Sequence, residues 1–311
     1  MTTFSSAKLL GGLALAVAGV ATWGIAIERA RFTLREVTVE ALPSGSAPLR
    51  VLHLSDMHMA PWQKNKQRWV AELASLKPDL VINTGDNWGT RDGLDGVRAA
   101  LDSFAGTPGV FVFGSNDHHG PRLKNPFTYF SGPSSAHPEP ERLDSKALAA
   151  YLEENLGWAN LNNSAAIVSA GGRDIEFFGV DDPHHHLDNP DAMLDALDAV
   201  RAVNSTPAAR IGVAHAPYSR TLNLLAECGA DVLFAGHTHG GQVCVPGYGA
   251  LVTNCDLPRD AVKGVSSWNA LAGSIPLHVS AGLGTSIYAP VRFACPPEAT
   301  LLTLVARKNW P

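Results

Sequence analysis

The sequence predicts an α/β domain preceded by one apolar helix. Of the 311 residues, 45% are hydrophobic and 17% are charged, which is a globular composition with ample material for a core. From residue 49 onward, segments with strand and helix patterns alternate, and polar residues recur where the strand patterns stop. This alternation is typical of α/β folds, in which ligands collect at the carboxyl ends of strands.

Charge and cysteine content exclude several classes of protein. The formal net charge is −5, so no strong basic field exists and a nucleic-acid partner held by phosphate contacts is not expected. The four cysteines are scattered without a CxxC pair. They predict small buried side chains rather than a zinc ribbon or a disulfide framework.

The N-terminal segment predicts a single-pass membrane anchor. The stretch from Leu9 to Ile27 carries no charge, and a helix of this length covers about 28 Å, close to the hydrocarbon core of a bilayer. Trp23 lies near its end, as interfacial aromatic residues do. A cleaved signal peptide is the alternative, but the stretch is long for one and no convincing cleavage site follows. We therefore assign residues 1–35 to an anchor and juxtamembrane segment, and residues 36–311 to one domain.

The charges that flank this stretch favour a cytoplasmic domain. Lys8 precedes it, whereas Arg29, Arg31 and Arg35 follow it. The positive-inside bias therefore predicts that the domain faces the cytoplasm rather than being exported.

The first half of the domain predicts four strands and two helices. Strands are expected over FTLREVTVEAL, LRVLHLS, DLVINTGD and GVFVFGSND, the last ending at Asn116. Helices are expected over KNKQRWVAELASLKP, which Pro78 terminates, and over GLDGVRAALDSF. A segment rich in Pro, Ser and Gly follows and predicts an insertion over about residues 120–145. Its aromatic residues, Phe127, Tyr129 and Phe130, suggest a lid over an acyl chain.

The second half continues the same alternation. Helices are expected over KALAAYLEENLG, residues 191–203 and SRTLNLLAECG. Strands are expected over AAIVSAGG, RDIEFFGVDD, ARIGVAH and ADVLFAGHTHGG, followed by short β segments to the C-terminus.

Aspartate, asparagine and histidine side chains follow the predicted strands and form a candidate metal site. In an extended segment directly after a strand, the side chains at positions i and i+2 point the same way, so each D-x-H or H-x-H pair should converge on one point. Gly85 allows a tight bend that turns the next carboxylate inward. Oxygen and nitrogen donors without a thiolate suit Mn²⁺, Fe or Zn²⁺. The candidate ligands are Asp56, His58, Asp86, Asn116, His215, His237 and His239.

Seven ligands are too many for one ion but divide evenly between two if Asp86 bridges. One ion would take Asp56, His58, Asp86 and His239, and the other Asp86, Asn116, His215 and His237. Two such cations about 3.5–4 Å apart can hold a hydroxide between them and direct it at phosphorus. The sequence therefore predicts two divalent metal ions and a phosphate-ester substrate.

The ordered blocks DxH, GD, ND, H and GHTH resemble the calcineurin-like metallophosphoesterase superfamily. GHTHGGQV and SAGLGTSIYAPVRFACPPEATLLTL are similar to a bacterial membrane-anchored branch related to UDP-2,3-diacylglucosamine pyrophosphatases. The resemblance implies a four-layer α/β/β/α fold, in which two packed mixed sheets are flanked by helices, with a dimetal centre at one edge. It also implies the same seven ligands.

One position departs from the family pattern. The family places a histidine directly after the asparagine, where it helps to protonate the leaving group. Here Asp117 follows Asn116, and His118 and His119 come next. Either Asp117 replaces the histidine as general acid, or His118 reaches in from one position later.

These observations predict a dimetal-dependent phosphoesterase in which a metal-bridging hydroxide attacks a phosphodiester or pyrophosphate bond of a membrane lipid or nucleotide-lipid. Two alternatives stay open: a soluble substrate such as a cyclic nucleotide or phosphoprotein, and a non-catalytic metal-binding scaffold. Outside the ligand set, we expect His53 to be packed and Arg292 to make an ion pair rather than a phosphate contact. We expect Asp181–His186 to form a solvated turn rather than a third metal site, with a loop that borders the pocket as the alternative.

Overall fold

The computed structural model describes residues 6–121, 141–203, 206–271 and 273–308. Most of the predicted insertion, and with it the lid hypothesis, lies outside the described residues.

The secondary structure follows the predicted alternation. The helices are α1 (Ser6–Thr22), α2 (Lys64–Glu72), α3 (Leu94–Leu101), α4 (Ser115–His118), α5 (Ser145–Ala150), α6 (Pro190–Val203) and α7 (Ser219–Glu227). The strands are β1 (Thr33–Leu42), β2 (Leu49–Leu54), β3 (Leu80–Asn83), β4 (Gly109–Phe111), β5 (Ala159–Asn160), β6 (Ser164–Ala170), β7 (Arg173–Gly179), β8 (Arg210–Val213), β9 (Val232–Ala235), β10 (Cys244–Val245), β11 (Gly249–Ala250), β12 (Gly264–Ala270), β13 (Gly273–Val279) and β14 (Glu298–Ala306).

The strands form two six-stranded mixed sheets and one small hairpin, β10–β11. The first sheet has the order β1-β14-β2-β3-β4-β5, and β2 to β5 run parallel. The second has the order β12-β13-β9-β8-β7-β6, in which β13, β9, β8 and β7 run parallel. Parallel neighbours bring the loops after β2, β3 and β4, and those after β7, β8 and β9, to the carboxyl edges of the two sheets.

Three apolar clusters hold four layers together. Between the sheets, Val51 and Ile82 of the first sheet pack in one cluster with Ile211 and Phe234 of the second. The outer face of the first sheet packs against α2, α3 and α5, and that of the second against α6 and α7. Because both faces of each sheet are covered, the central strands are continuous apolar runs. The predicted four-layer fold is confirmed.

The apolar helix is largely exposed. After α1, a π-helical turn (Trp23–Ile27) and a 3-10 turn (Glu28–Ala30) continue it. Residues Gly11–Ala30 have a mean hydropathy of 1.5, and only 11% of the most apolar window is buried. Among the described residues, this is the one helix long and apolar enough to cross a membrane. Strand β1 begins at Thr33, inside the segment assigned to the anchor.

One strand is shorter than predicted. Strand β4 ends at Phe111, and Asn116 lies in the short helix α4 instead of at a strand end. The cause is local, because the Asp117 carboxylate accepts the N–H of Gly114 and caps the first turn of α4.

Candidate metal centre

The predicted ligands lie on loops that follow neighbouring strands, but the backbone of these loops is not extended as predicted. Five of the seven residues have left-handed backbone conformations: Asp56, His58, Asp86, His237 and His239, with φ between 41° and 68°. The interpretation from i and i+2 alternation was therefore wrong about the backbone. Non-glycine residues in this region are strained, and such strain persists only where the surrounding structure enforces it.

Four of the predicted ligands converge on one point. One donor atom from each of Asp56, His58, Asp86 and His239 lies within 4.8 Å of the others. The Nε2 atoms of His58 and His239 are 3.2 Å apart. Nε2 of His58 lies 3.5 Å from Oδ2 of Asp86, and Nε2 of His239 lies 3.5 Å from Oδ1 of Asp56. These are the four residues predicted to share one ion.

The Asp56 carboxylate shows that this cluster suits a cation. Its Oδ2 accepts hydrogen bonds from the Ser55 hydroxyl at 2.5 Å and the His237 N–H at 3.0 Å. Its Oδ1 is buried and has no hydrogen-bond partner. A buried carboxylate oxygen without a partner is costly, and a bound cation removes that cost. Two imidazoles and two carboxylates form a donor set that suits manganese, iron or zinc.

The remaining ligands lie on the other side of Asp86. Nε2 of His215 is 3.6 Å from Oδ1 of Asp86 and 3.2 Å from Nδ1 of His237. Asn116 donates its backbone N–H to Oδ1 of Asp86 at 2.8 Å and its side-chain N–H to Oδ2 at 2.7 Å. Asp86 therefore lies between both groups of residues, as a bridging ligand requires.

Backbone carbonyls orient two of the imidazoles. Nδ1 of His215 donates to the carbonyl oxygen of Thr84 at 2.6 Å, so Nε2 is the ring nitrogen that faces Asp86. Nδ1 of His239 lies 3.2 Å from the carbonyl oxygen of Gly284, so its Nε2 faces Asp56. Hydrogen bonds of this kind fix the tautomer and the ring orientation of a metal-binding histidine.

Burial and mutual charge shift the pKa values of the cluster strongly. Burial lowers the pKa of His58 to about 4. Burial also acts to lower the pKa of His215, but the Asp86, Asp56 and Asp182 carboxylates outweigh it and raise this pKa to about 9. Burial and the nearby Asp86 raise the pKa of Asp56 to about 6. Perturbation of this size is characteristic of functional sites.

The two candidate acids occupy different environments. The Asp117 carboxylate is buried and accepts the backbone N–H groups of Asp86 at 2.7 Å, Asn87 at 2.8 Å and Gly114 at 3.0 Å. Burial and the Asp86 charge raise its pKa to about 7, although the N–H bonds oppose this shift. Nε2 of His118 bonds to Oδ1 of Asp181 at 2.7 Å, and its side chain stays 18% exposed.

The loop after β7 borders the cluster, which was the alternative to a solvated turn in the sequence analysis. Asp182 is buried and accepts a hydrogen bond from the Ser115 hydroxyl at 2.6 Å. The ring centroid of His184 lies 4.7 Å from that of His237, and its Nδ1 bonds to the Tyr218 hydroxyl at 2.7 Å. The prediction of a solvated turn was wrong for this part of the loop. The position of the DDPHHH run directly after a strand was the available signal.

Arg292 forms no ion pair with the described residues, contrary to the prediction. Its guanidinium is fully buried and donates to the carbonyl oxygens of Gly284 at 2.7 Å, Ala281 at 2.8 Å and Gly282 at 3.0 Å. It therefore holds the loop after β13 beside His239. His53 is packed as predicted, between Thr84 and His278.

The model of the calcineurin-like phosphoesterase family matches residues 49–241, so this chain belongs to that family. The metallophosphoesterase YkuE of Bacillus subtilis is 25% identical over 276 residues, which cover 85% of this chain and 81% of YkuE. The phosphodiesterase YaeI of Escherichia coli is 28% identical over 273 residues, covering 84% of this chain and 83% of YaeI. A transmembrane protein with a metallophosphoesterase domain from Bos taurus is 26% identical and covers 68% of this chain and 45% of that protein. The chain is a metal-dependent phosphoester hydrolase.

Proposed function

We propose that this chain uses two divalent cations, manganese, iron or zinc, to hydrolyse a phosphodiester or pyrophosphate bond in a lipid or nucleotide-lipid at the membrane. The observation that carries the proposal is the convergence of four ligand atoms around the unpaired Oδ1 of Asp56. The name of the Escherichia coli relative, a phosphodiesterase, supports the class of bond.

The residues divide between the two cations as follows. One cation is held by Asp56, His58, Asp86 and His239, and the other by Asp86, Asn116, His215 and His237. The contacts of Asp86 with His58 on one side and His215 on the other support its bridging role.

Two bound cations supply Lewis acidity for the phosphoryl oxygens and an activated water. The protein's own contribution is orientation and proton transfer. Asn116 and the backbone of α4 hold the Asp86 carboxylate in place, and Asp117 fixes the loop that carries it. His118 donates the proton to the leaving group, since its bond to Asp181 holds its pKa above the usual value against the opposing effect of burial.

The apolar helix supports a location of this chemistry at a membrane. The helix over Gly11–Ala30 is 20 residues long, mostly apolar and largely exposed, which matches the thickness of a bilayer core. The bovine relative is named as a transmembrane protein. Three arginines on the domain side of the helix favour a cytoplasmic domain. Reporter fusions at the C-terminus test this sidedness, because a reporter active only outside the cytoplasm should remain silent.

A substrate panel with a ligand variant tests the proposal. The purified chain, supplied with Mn²⁺, is assayed on a membrane lipid extract, a chromogenic diester, a cyclic nucleotide and a phosphopeptide. We expect hydrolysis of lipid components and of the diester, and we expect Asp86→Asn to lose at least about 100-fold in activity together with bound metal. Asp92→Asn, an exposed carboxylate of the next turn, is the matched control and should retain both. Hydrolysis of the soluble substrates but not of any lipid component would show that the substrate is a soluble phosphoester rather than a lipid. Full activity of Asp86→Asn would refute the metal assignment.

A further inference from the structure

The end of the apolar helix is fixed to the domain rather than joined by a free linker. Glu28 is buried, and its two carboxylate oxygens accept the backbone N–H of Cys295 at 2.6 Å and the indole N–H of Trp23 at 2.6 Å. The carbonyl oxygen of Gly24 accepts the backbone N–H of Arg292 at 3.1 Å. A Cβ at Gly24 would lie 2.9 Å from the Arg292 carbonyl oxygen, so the close contact requires glycine. The helix therefore has a defined position against the domain.

A pocket of about 330 Å³ opens at this junction. Its walls are the end of the apolar helix around Arg29, the first turn of α2 with Trp62 before it, and the loop after β13 at residues 283–285. The same loop carries Gly284, whose carbonyl oxygen contacts Nδ1 of His239. The pocket and the metal centre thus share one wall.

The lining of this junction pocket is cationic. Arg29, Lys64 and Lys66 line it, and no aspartate or glutamate does. Within the described parts of the chain, neither Arg29 nor Lys64 forms an ion pair, and Nζ of Lys66 contacts only the carbonyl oxygens of Met57 and His58. Helix α2 also begins here without a side-chain cap, and residues 63–66 at its start line the pocket, so its positive N-terminal end lies at the pocket wall. Arg29 and Lys64, two cations without a carboxylate partner, are suited to bind an anion. Burial lowers the pKa of Lys66 to about 7, so this third side chain is only partly charged at neutral pH.

The surroundings indicate where that anion comes from. On the same short segment, Ile25 and Ile27 are 45% and 43% exposed on the outside of the helix. Trp62 beside the pocket is 64% exposed, and Trp23 is 38% exposed. Exposed tryptophans next to apolar helix residues are typical of the headgroup level of a bilayer. With the helix in a membrane, the pocket lies at the level of the lipid phosphates.

We propose that the junction pocket binds the phosphate group of an anionic phospholipid in the leaflet that the apolar helix enters, and so holds the metal centre close to the membrane surface. This inference rests on the membrane placement proposed above but does not depend on the identity of the hydrolysed substrate. The lipid bound here is a ligand that orients the domain, and its own bonds stay intact.

Lipid binding to the full-length chain tests the pocket directly. The protein in neutral detergent micelles is titrated with phosphatidylglycerol, phosphatidylcholine or glycerol 3-phosphate, and bound ligand is counted by native mass spectrometry. We expect phosphatidylglycerol to bind most tightly, and the variants Arg29→Gln and Lys64→Gln each to weaken it about fivefold, or about 25-fold together. Arg68→Gln is the control, because this exposed arginine lies one turn further along α2 and does not line the pocket.

The outcomes separate this proposal from the others. An equal loss with Arg68→Gln would indicate diffuse attraction and overturn the pocket, as would equal binding of phosphatidylcholine. If glycerol 3-phosphate binds as tightly as phosphatidylglycerol, the ligand of the pocket is a soluble phosphate compound rather than a lipid. Extraction of the wild-type chain from membranes by alkaline carbonate would refute the membrane placement. Equal melting temperatures of the wild-type chain and the variants in lipid-free detergent would establish that the variants fold.

Discussion

The imidazoles of His58 and His239 face each other with their Nε2 atoms 3.2 Å apart and their ring planes within 20°. Burial lowers the pKa of both rings, that of His58 to about 4, so both are neutral at physiological pH. Nδ1 of His239 is engaged by the Gly284 carbonyl, which leaves a lone pair on its Nε2. Two nitrogens at this distance beside two carboxylates are readily explained as ligands of one cation.

Metal affinity should rise with pH up to about 9. The carboxylates around His215 raise its pKa to about 9 against the effect of burial, and its proton must leave before Nε2 can bind a metal. Isothermal titration with Mn²⁺ between pH 6.5 and 9 should therefore show increasing affinity and proton release.

His215 also contributes a pH-dependent part of the free energy of unfolding of the metal-free protein. Because the folded pKa of His215 lies above the ordinary value of about 6.5, its contribution is complete below that pH and is lost as pH rises through about 9. Lys66 and Cys295, whose pKa values lie below their ordinary values at about 7 and about 6, act in the opposite direction over this range. The melting-temperature difference between the metal-free wild-type chain and its His215→Asn variant isolates the contribution of His215, and it should change in favour of the variant as pH rises from 6.5 to 9. A metal affinity independent of pH would contradict the role of His215.

Gly114→Ala should displace two ligands by steric contact alone. Gly114 has an ordinary extended backbone, with φ −111° and ψ 179°, so alanine adds no backbone strain. Its Cβ, however, would lie 2.4 Å from Oδ1 of Asp86 and 2.5 Å from Cε1 of His215. We expect a loss of about 1–3 kcal/mol in stability and at least about tenfold in metal affinity, measured by thermal melting and metal titration.

Gly120→Ala is the matched control for this variant. The nearest atom to its added Cβ is the Glu141 carbonyl oxygen at 3.6 Å, an ordinary van der Waals distance. Similar losses of stability and metal affinity in both variants would show that crowding at Asp86 and His215 does not cause the effect of Gly114→Ala.

Asp117→Asn should act through the position of Asp86. The Asp117 carboxylate accepts the N–H groups of Asp86, Asn87 and Gly114, and an amide offers one acceptor oxygen instead of two. We expect a loss of about 1–3 kcal/mol in stability and a fall of about 10–100-fold in metal affinity. Asp144→Asn, which changes the exposed N-cap carboxylate of α5, should leave metal affinity unchanged. A loss of turnover at saturating metal, with the basic limb of the pH profile abolished, would instead identify Asp117 as the general acid.

Asp181→Asn should shift the pH profile of hydrolysis. Burial acts to lower the pKa of His118, but the hydrogen bond and charge of Asp181 outweigh it. Without that charge, His118 loses its proton at lower pH, so the basic limb of kcat/KM should move down by about one pH unit or more. His186→Asn, an exposed position of the same loop, should leave the profile in place. An unchanged profile in Asp181→Asn would exclude His118 as the proton donor.

The sequence by itself determined the alternation of strands and helices and the chemistry of the ligands, whereas the four-layer arrangement was implied by the family resemblance. Short, mainly apolar runs located strands such as β2 and β3, because burial on both faces of a sheet favours apolar side chains at successive positions. The D-x-H, GD and GHTH blocks showed which polar side chains follow these strands. Both inferences depend on neighbours along the chain, which is the information that a local pattern contains.

Only the tertiary structure decided the geometry between distant segments. The left-handed turns at Asp56 and His239 leave no mark in an alternating pattern, because contacts with other loops enforce them. The roles of Asp117 and Asp182 depend on which N–H and hydroxyl groups the packed sheets bring within reach. The junction pocket joins residue 29 to residue 284, a separation that no local pattern spans. Contacts of this kind follow from the packing of whole layers, so their distances are fixed only when the layers have assembled.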